Sequence, residues 1–390
     1  MNTDRIRRAR IAVIAAFVTN GAVSGSFVAR IPDIKKTLDL TPSELGVLLF
    51  CASLGVLTAL GPAGRIVAKQ GSRTVSIWST VLLGTSLVPV GLMPNEWIFG
   101  TALFLYGALL AIQDVAMNTH AITLEHEAGK RYMSFFHATF SMGAFLGGIT
   151  GGFFSQHQIS VLVQAHVLGA FFIAFAVIFR NFWLPSSLDQ HAYEEKKKTK
   201  RPGIFWLLGL LGMLCAIGEG SAGDWGGVLA RETFSASPFL STVPFIVFTA
   251  FMVIGRLLGD SLAEKYGPAN LIFICGLIAG IGLSAGLILG GIAGVILGWA
   301  ALGAGVSIVI PMLFSAGGEI AKREFPGKLA PSDGVAMVGG VAYFGFMVGP
   351  PLMGFVAELI TLRWAMLLPA LGCIIMALTA KPLLSSRGVR

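Results

Sequence analysis

The chain has 390 residues, of which 55% are hydrophobic and only 12% charged, and its formal net charge is +8. A soluble globular protein has about 25% charged residues, so the composition excludes that class and favours a bundle of membrane-spanning helices. The 50 glycines agree with this, because glycine is common where membrane helices approach one another closely.

Twelve apolar runs follow one another, and each provides the roughly 20 residues that a helix needs to cross a ~30 Å hydrocarbon core. They cover residues 11–29, 43–62, 75–93, 97–120, 133–154, 161–183, 204–229, 239–262, 269–288, 291–314, 333–357 and 361–383. One long polar interval separates six runs from six. We therefore predict an N-terminal six-helix bundle over 1–183, a cytoplasmic linker over 184–203 and a C-terminal bundle over 204–390.

The distribution of basic residues predicts the orientation. Five of the 28 Lys and Arg residues fall on one side of the predicted membrane, namely Arg30, Lys35, Lys36, Arg231 and Arg363. All the others fall on the opposite side, which the positive-inside rule makes cytoplasmic, together with both termini. This basic surface then faces lipid headgroups, and we expect no nucleic-acid partner. The basic N-terminus is interpreted as the start of an uncleaved first helix.

Cysteines and sequence motifs limit the chemistry. The four cysteines, Cys51, Cys215, Cys275 and Cys373, stand singly in apolar runs without C-x-x-C spacing, and we interpret them as packing residues. No phosphate-binding loop, H-E-x-x-H motif or nucleophile elbow is present. We expect no metal, no cofactor and no enzymatic activity.

The two halves of the sequence resemble each other. Lys69 and Gly71 after the second run correspond to Lys265 and Gly267 after the eighth, at an offset of 196 residues. The same offset joins Gly107 to Gly303, and an offset of 206 joins Gly143 and Gly148 to Gly349 and Gly354. A half-chain repeat around a central linker is typical of transporters built from two helix bundles.

The connections after the second and eighth runs resemble the signature loop G-x-x-x-(D/E)-(R/K)-x-G of the major facilitator superfamily. The first copy keeps Gly64, Lys69, Gly71 and Arg73 but has Ala68 at the acidic position; the second keeps Glu264, Lys265 and Gly267 but has Asp260 in place of the first glycine. The resemblance implies two pseudo-symmetric bundles, a central cavity lined by helices 1, 4, 7 and 10, and these connections as a cytoplasmic gate. Because the first copy lacks the acid, we do not expect a symmetrical charge-relay gate.

Three further stretches narrow the resemblance. D-V-A-M-N in helix 4, His137 at the start of helix 5 and V-G-P-P-L-M-G in helix 11 are similar to an uncharacterised branch of bacterial permeases. That branch is related to the fucose and glucose/galactose permeases. The resemblance implies transport of a sugar-like or other hydrophilic solute.

Several polar residues interrupt the seventh run. Glu219 lies ~22 Å into the helix, among glycines that we expect to loosen or break it. It is our candidate for proton or substrate handling, with a fixed structural ion pair as the alternative. Asp224 has one of two roles. It is a structural residue that caps the helix or pairs with Arg231, or it forms an outer gate. Trp225 is either an interfacial anchor or a ring that stacks on the substrate.

The first and fourth runs carry the other candidates. Asn20, ~14 Å into helix 1, either contacts substrate or forms a polar contact between helices. Asp114 lies ~26 Å beyond Trp97, towards the cytoplasmic mouth, and shares a helix face with Asn118. We interpret Gln113 and Asn118 as part of the cytoplasmic gate, and Asp114 either contacts His137 or leaves that histidine unpaired. Arg256 and Asp260 are assigned to the second signature connection.

From the sequence we predict a secondary transporter that moves a small polar solute by alternating access. Coupling to protons is expected through Glu219, assisted by Asp114 and His137. The alternatives are an efflux transporter of amphipathic compounds and a non-transporting receptor with the same fold. The expected partners are the solute, protons and the lipid bilayer. We expect the chain to act as a monomer in the bacterial inner membrane.

Overall fold

The computed structural model describes residues 3–190 and 202–388, which form helices joined by short turns, with no strand among them. The chain forms two compact units: unit 1 is Met1–Leu40 with Leu48–Lys196, and unit 2 is Thr41–Val47 with Lys197–Arg390. Unit 1 contains α1 (Thr3–Thr37), most of α2 (Pro42–Gln70), α3 (Ser72–Leu92), α4 (Glu96–Ala128), α5 (Met133–Gln156) and α6 (Val161–Phe179). Unit 2 contains α7 (Gly203–Val228), α8 (Val243–Tyr266), α9 (Pro268–Leu289), α10 (Gly291–Val306), α11 (Val309–Glu324), α12 (Pro331–Ala342), α13 (Phe344–Ile360), α14 (Leu362–Ala365) and α15 (Leu367–Ser386).

All twelve predicted spans fall on helices. Within the described ranges, 11 helical segments are long and apolar enough to cross a membrane. Three of those in unit 2 are pairs of consecutive helices, α10–α11, α12–α13 and α14–α15, separated by a short break. The fifth predicted span, α5, is not among the 11, although its 24 residues reach ~36 Å at the α-helical rise. Its Gly, Ser, Thr and His residues lower its hydropathy.

Glycines bring α1 and α5 into backbone contact. A Cβ atom on Gly21 would lie 2.0 Å from the carbonyl oxygen of Phe140, and one on Gly143 would lie 2.2 Å from that of Val18. No side chain fits at such distances, so these positions require glycine. Close packing of this kind holds α1 against α5 along much of its length.

The predicted repeat reappears as matched contacts inside each unit. A Cβ atom on Gly107 of α4 would lie 1.9 Å from the carbonyl oxygen of Ala52 in α2. In unit 2, a Cβ atom on Gly303 of α10 would lie 2.4 Å from the carbonyl oxygen of Phe248 in α8. Both members of this contact are displaced by the same 196 residues. The offset found in the sequence therefore corresponds to equivalent helix pairs.

The two signature connections turn in the same way. Gly71 between α2 and α3 has φ 79° and ψ 147°, and Gly267 between α8 and α9 has φ 76° and ψ 147°. This region of backbone space is open mainly to glycine. The connections are tight corners between helices rather than loops, because α2 continues to Gln70 and α8 to Tyr266.

The segment after α6, residues 184–190, folds back onto unit 1, and we call it the strap. The carboxylate of Asp189 accepts hydrogen bonds from the Ser72 backbone N–H (3.1 Å), from the Ser72 hydroxyl and from the Thr123 hydroxyl (3.4 Å). Since Ser72 begins α3, a negative charge there is stabilised by the helix dipole. The Gln190 side chain also donates to the Lys69 carbonyl at 3.3 Å.

His120 fastens the other end of the strap. Its ring is fully buried, packs edge-on against Trp183 and accepts the Leu184 backbone N–H at Nε2 over 3.1 Å. Because Nε2 accepts, the proton of the neutral ring is on Nδ1, which donates to the Ser72 hydroxyl at 2.6 Å. That hydroxyl in turn donates to Asp189. The result is a hydrogen-bond chain with a fixed direction.

The strap belongs to the interval that we predict as the linker, 184–203. The first part of this predicted linker, the strap, is packed on unit 1. Residues 191–201 lie outside the described residues. The predicted boundaries of the two bundles and the linker therefore stay a prediction.

Candidate functional site

The site is built around α7, which carries two carboxylates in an apolar helix. We expected the glycines around Glu219 to loosen or break this helix, and that expectation is wrong. α7 is continuous from Gly203 to Val228, and its hydrogen bonding becomes irregular only in the π-helical turn Leu229–Thr233. Further along the helix, Gly226 serves packing, because a Cβ atom on it would lie 2.5 Å from Nε1 of Trp299.

Glu219 forms an ion pair with Arg256 of α8, in which Oε1 lies 3.4 Å from Nη2. The side chains keep 21% and 35% of their surface exposed, respectively, so the pair is not sealed in the core of unit 2. Of the two interpretations of Glu219, the structure shows the ion pair, which is partly exposed. The role of Glu219 in handling protons stays a prediction. The partner was missed, because we assigned Arg256 to the signature connection. The available signal was a single arginine in the apolar stretch 243–259.

Asp224 lies further along α7 and is half-buried. Within the described part of the chain its carboxylate has no hydrogen bond or ion pair. The predicted partner Arg231 donates instead to the Pro238 carbonyl at 3.2 Å and the Ser241 hydroxyl at 3.1 Å. α7 therefore presents one paired carboxylate and one for which the described residues offer no partner.

Trp225 is fully buried, unlike a ring at a membrane interface. Its neighbour Trp299 of α10 is also fully buried and donates its indole N–H to the Ala222 carbonyl of α7 at 2.9 Å. The two rings belong to the core of unit 2. In this structure Trp225 has no exposed ring surface for either of its predicted roles.

In unit 1, Asn20 of α1 is held by a polar network. Its side-chain amide donates to Oε1 of Gln113 in α4 at 2.7 Å, and the Gln113 amide donates to the Thr80 hydroxyl of α3 at 2.9 Å. Asn20 and Gln113 are both buried. The polar contact between helices, one of the two readings of Asn20, is what the structure shows. Gln113 joins three helices here, and its predicted part in a gate remains untested.

Asp114 and Asn118 share one face of α4, as their spacing predicts. The Asn118 amide donates to Oδ1 of Asp114 at 3.1 Å and to its backbone carbonyl at 2.8 Å. The exposed His137 ring packs edge-on against Phe17, with ring centres 5.3 Å apart. The Asp114–His137 contact stays a prediction.

The comparisons with known proteins decide the family. The family model of the Major Facilitator Superfamily matches residues 12–330. The chain belongs to this superfamily. It is 29% identical to the membrane protein MosC of Rhizobium meliloti over 359 residues, which are 91% of this chain and 85% of MosC. It is also 23% identical to a putative glucose/galactose transporter of Helicobacter pylori, over 88% of this chain and 87% of that protein.

Solved structures of transporters of the Major Facilitator Superfamily have the same fold. The nucleoside transporter NupG superposes with a TM-score of 0.75 at 15% identity, over 98% of this chain and 99% of NupG. A variant of the E. coli fucose:proton symporter FucP gives 0.61 at 17% identity, over 96% of this chain and 98% of FucP. The predicted all-α transporter fold is confirmed. The protein is thus a multi-pass integral membrane transporter of the permease type.

The signature corners of this superfamily member make different contacts in the two units. In unit 1, Arg73 donates to the Arg180 carbonyl at 3.3 Å. In unit 2, the Lys265 ammonium lies 5.1 Å from the centre of the Tyr266 ring. The side chain of Asp260 lies outside the described residues, and the gating roles of Gly64, Lys69, Gly71, Glu264 and Gly267 stay a prediction.

In the ranges that the structure describes, no three His, Cys, Asp or Glu side chains come together as they would to hold a metal ion. All four cysteines are free thiols, and three of them are buried. Among the described residues, our candidates for function are the carboxylates of α7 and α4 and the arginine of α8.

Proposed function

We propose that this protein is a proton-coupled secondary transporter of a small polar solute, working by alternating access of its two bundles. The observation that carries the proposal is the Glu219–Arg256 ion pair, which joins two apolar helices and remains partly exposed. Charged groups within membrane-spanning segments are rare and mark the paths of substrates and protons.

Glu219 is the coupling group in this proposal. An ionised Glu219 is attracted to Arg256, whereas a protonated Glu219 has lost that attraction, so proton binding changes the interaction between α7 and α8. A proton equilibrium linked in this way to two conformations can couple proton movement to solute movement. Asp224 and Asp114 are secondary proton sites. His137 assists from α5.

The solute is proposed to be sugar-like, bearing several hydroxyl groups. This draws on the similarity to the glucose/galactose transporter of Helicobacter pylori and on the folds of the fucose:proton symporter and the nucleoside transporter. The working form is proposed to be a monomer in the bacterial inner membrane.

The test is solute uptake into proteoliposomes with and without an imposed proton gradient. We expect gradient-driven accumulation by the native protein, and we expect Glu219→Gln to abolish accumulation while retaining exchange of solute down its gradient. Glu319→Gln is the matched control, because Glu319 forms an exposed ion pair with Arg323 at 3.5 Å. Accumulation by Glu219→Gln would exclude Glu219 as the coupling group.

The same assay tests the two alternative functions. Extrusion of amphipathic dyes without solute uptake would support efflux, and no flux under either condition would support a receptor.

A further inference from the structure

Arg256 is placed unlike a structural arginine. It lies ~20 Å along α8 from Val243, well inside an apolar helix. Arg30 of α1 is an example of a structural arginine in the same chain, and its side chain is 5% exposed. Arg30 bonds to Asp33 at 2.6 Å, to the Gln164 side chain at 2.6 Å and to the Ile159 carbonyl at 2.7 Å. Oxygen atoms of a carboxylate, an amide and a carbonyl thus surround its guanidinium.

Arg256, in contrast, is 35% exposed, and its one hydrogen-bonded ion pair among the described residues is the 3.4 Å contact of its guanidinium with Glu219. A guanidinium has five N–H donors in a planar fork that matches a carboxylate. Most donors of Arg256 are therefore unused by the described residues, at a site that already contains a group able to take up a proton.

The charge of the site indicates what that ligand is. With Glu219 ionised, the pair has no net charge. Protonation of Glu219 leaves the positive charge of Arg256 uncompensated in a membrane-spanning helix, which is unfavourable. A ligand with one negative charge restores neutrality, so a proton and a monoanion each favour the binding of the other. A neutral sugar provides no such compensation.

Other ionisable groups on the neighbouring helices bear on this balance. Asp224 and the Cys215 thiol are on α7, and the Cys373 thiol is on α15. Asp224 is the one that could compensate Arg256 in place of an anion, or could bind a cationic solute. The side chain of Asp260 lies outside the described residues.

We propose that the solute is a hydroxylated monocarboxylate, such as a sugar acid, whose carboxylate binds Arg256 when Glu219 is protonated. This rests on the proposed function and specifies its substrate class. One proton and one monoanion cross together without net charge. Uptake is then driven by the proton gradient and is insensitive to membrane potential.

The test uses the full-length protein in proteoliposomes with four labelled probes: glucuronate, glucose, glucose 6-phosphate and glucosamine. We expect glucuronate uptake in a proton gradient, with no acceleration by an inside-negative potential. Arg256→Gln should lower that uptake by about 10-fold or more, and Arg256→Lys by less, because lysine keeps the charge but loses the fork. Arg323→Gln, in the exposed pair with Glu319, should transport as the native protein does.

Each alternative gives a different result. Glucose uptake that is accelerated by the potential overturns the acid proposal and leaves the proposed function intact. Glucosamine uptake that is lost in Asp224→Asn assigns the site to a cation, and uptake of glucose 6-phosphate alone assigns it to a dianion. Uptake of none of the probes by a monodisperse protein counts against both proposals. If Arg256→Gln does not fold, Arg256→Lys and competition by unlabelled glucuronate decide.

Discussion

Gln113 shows how one side chain can fix three helices. It accepts from Asn20 of α1 and donates to Thr80 of α3, and it is fully buried. Gln113→Leu removes both bonds and leaves the Asn20 amide with only its longer contact to the Leu110 carbonyl, at 3.5 Å. We expect the free energy of unfolding to fall by about 1–3 kcal/mol, the usual cost of an unsatisfied buried polar group. Thermal unfolding in detergent measures this.

A suitable control is Thr85→Val, since Thr85 is on the same helix as Thr80 but its hydroxyl, among the described residues, bonds within α3 to the Leu82 carbonyl. Its unfolding temperature should remain close to that of the native protein. A Gln113→Leu protein as stable as this control would show that the network contributes nothing to folding.

For single residues, the sequence identified the unusual polar side chains but did not predict which side chains they contact. Glu219 could be identified because a carboxylate in an apolar helix is unusual. Its partner Arg256 is 37 residues away in another helix, and no local pattern specifies how α7 and α8 face each other. The same holds for Asn20 and Gln113, which the sequence identified separately and the fold joins.

At the level of the secondary-structure elements, the sequence did not predict that the strap packs on unit 1. Its backbone is tied to α4 by the hydrogen bond from the Leu184 N–H to His120. His120→Phe keeps a ring in place and removes both the acceptor of the Leu184 N–H and the donor to the Ser72 hydroxyl. We expect hydrogen exchange at the Leu184 amide to become about 10-fold faster, as the loss of one hydrogen bond of about 1.4 kcal/mol implies. Exchange detected by mass spectrometry measures it.

His166→Phe is the control for that substitution. His166 is exposed and bonds to the Leu162 carbonyl of its own helix, so exchange at Leu184 should not change. Unaltered exchange in His120→Phe would mean that the strap is held by Asp189 and its other contacts alone.

The positions of the helices followed from hydropathy, whereas their ends did not. Runs of apolar residues place all twelve spans. Helices continue beyond the apolar runs, so that α1 covers Thr3–Thr37 where we predicted 11–29. Charged and polar residues outside the hydrocarbon core can also form helix. Hydropathy alone does not predict these helical extensions. The composition of residues 184–190 resembled a linker because nothing in it shows that Asp189 caps α3.

The repeat is a property of the whole molecule and predicts that its halves respond alike. Gly107→Ala and Gly303→Ala each push a methyl group onto a backbone carbonyl oxygen, that of Ala52 and that of Phe248. Both should lower the unfolding temperature, because overpacking costs about 1–3 kcal/mol. Gly107→Ala should lower it more, since its contact of 1.9 Å is closer than the 2.4 Å at Gly303.

Gly61→Ala controls for the substitution itself, because a Cβ atom there would have no neighbour within 4 Å. It should unfold at the native temperature or slightly above. A tolerated Gly303→Ala beside a damaging Gly107→Ala would show that the matched contacts are not energetically equivalent.

The engagement of both ring nitrogens of His120 has a consequence for chemical modification. An imidazole reacts with acylating reagents through an unshared nitrogen lone pair. The one on Nε2 of His120 is occupied by the Leu184 N–H inside a buried cluster. The His120 ring is therefore unreactive towards such reagents while the strap is in place. Inactivation of transport by a histidine reagent would thus report on the exposed His137 or on a histidine other than His120. Labelling of His120 would mark molecules in which the strap has come away.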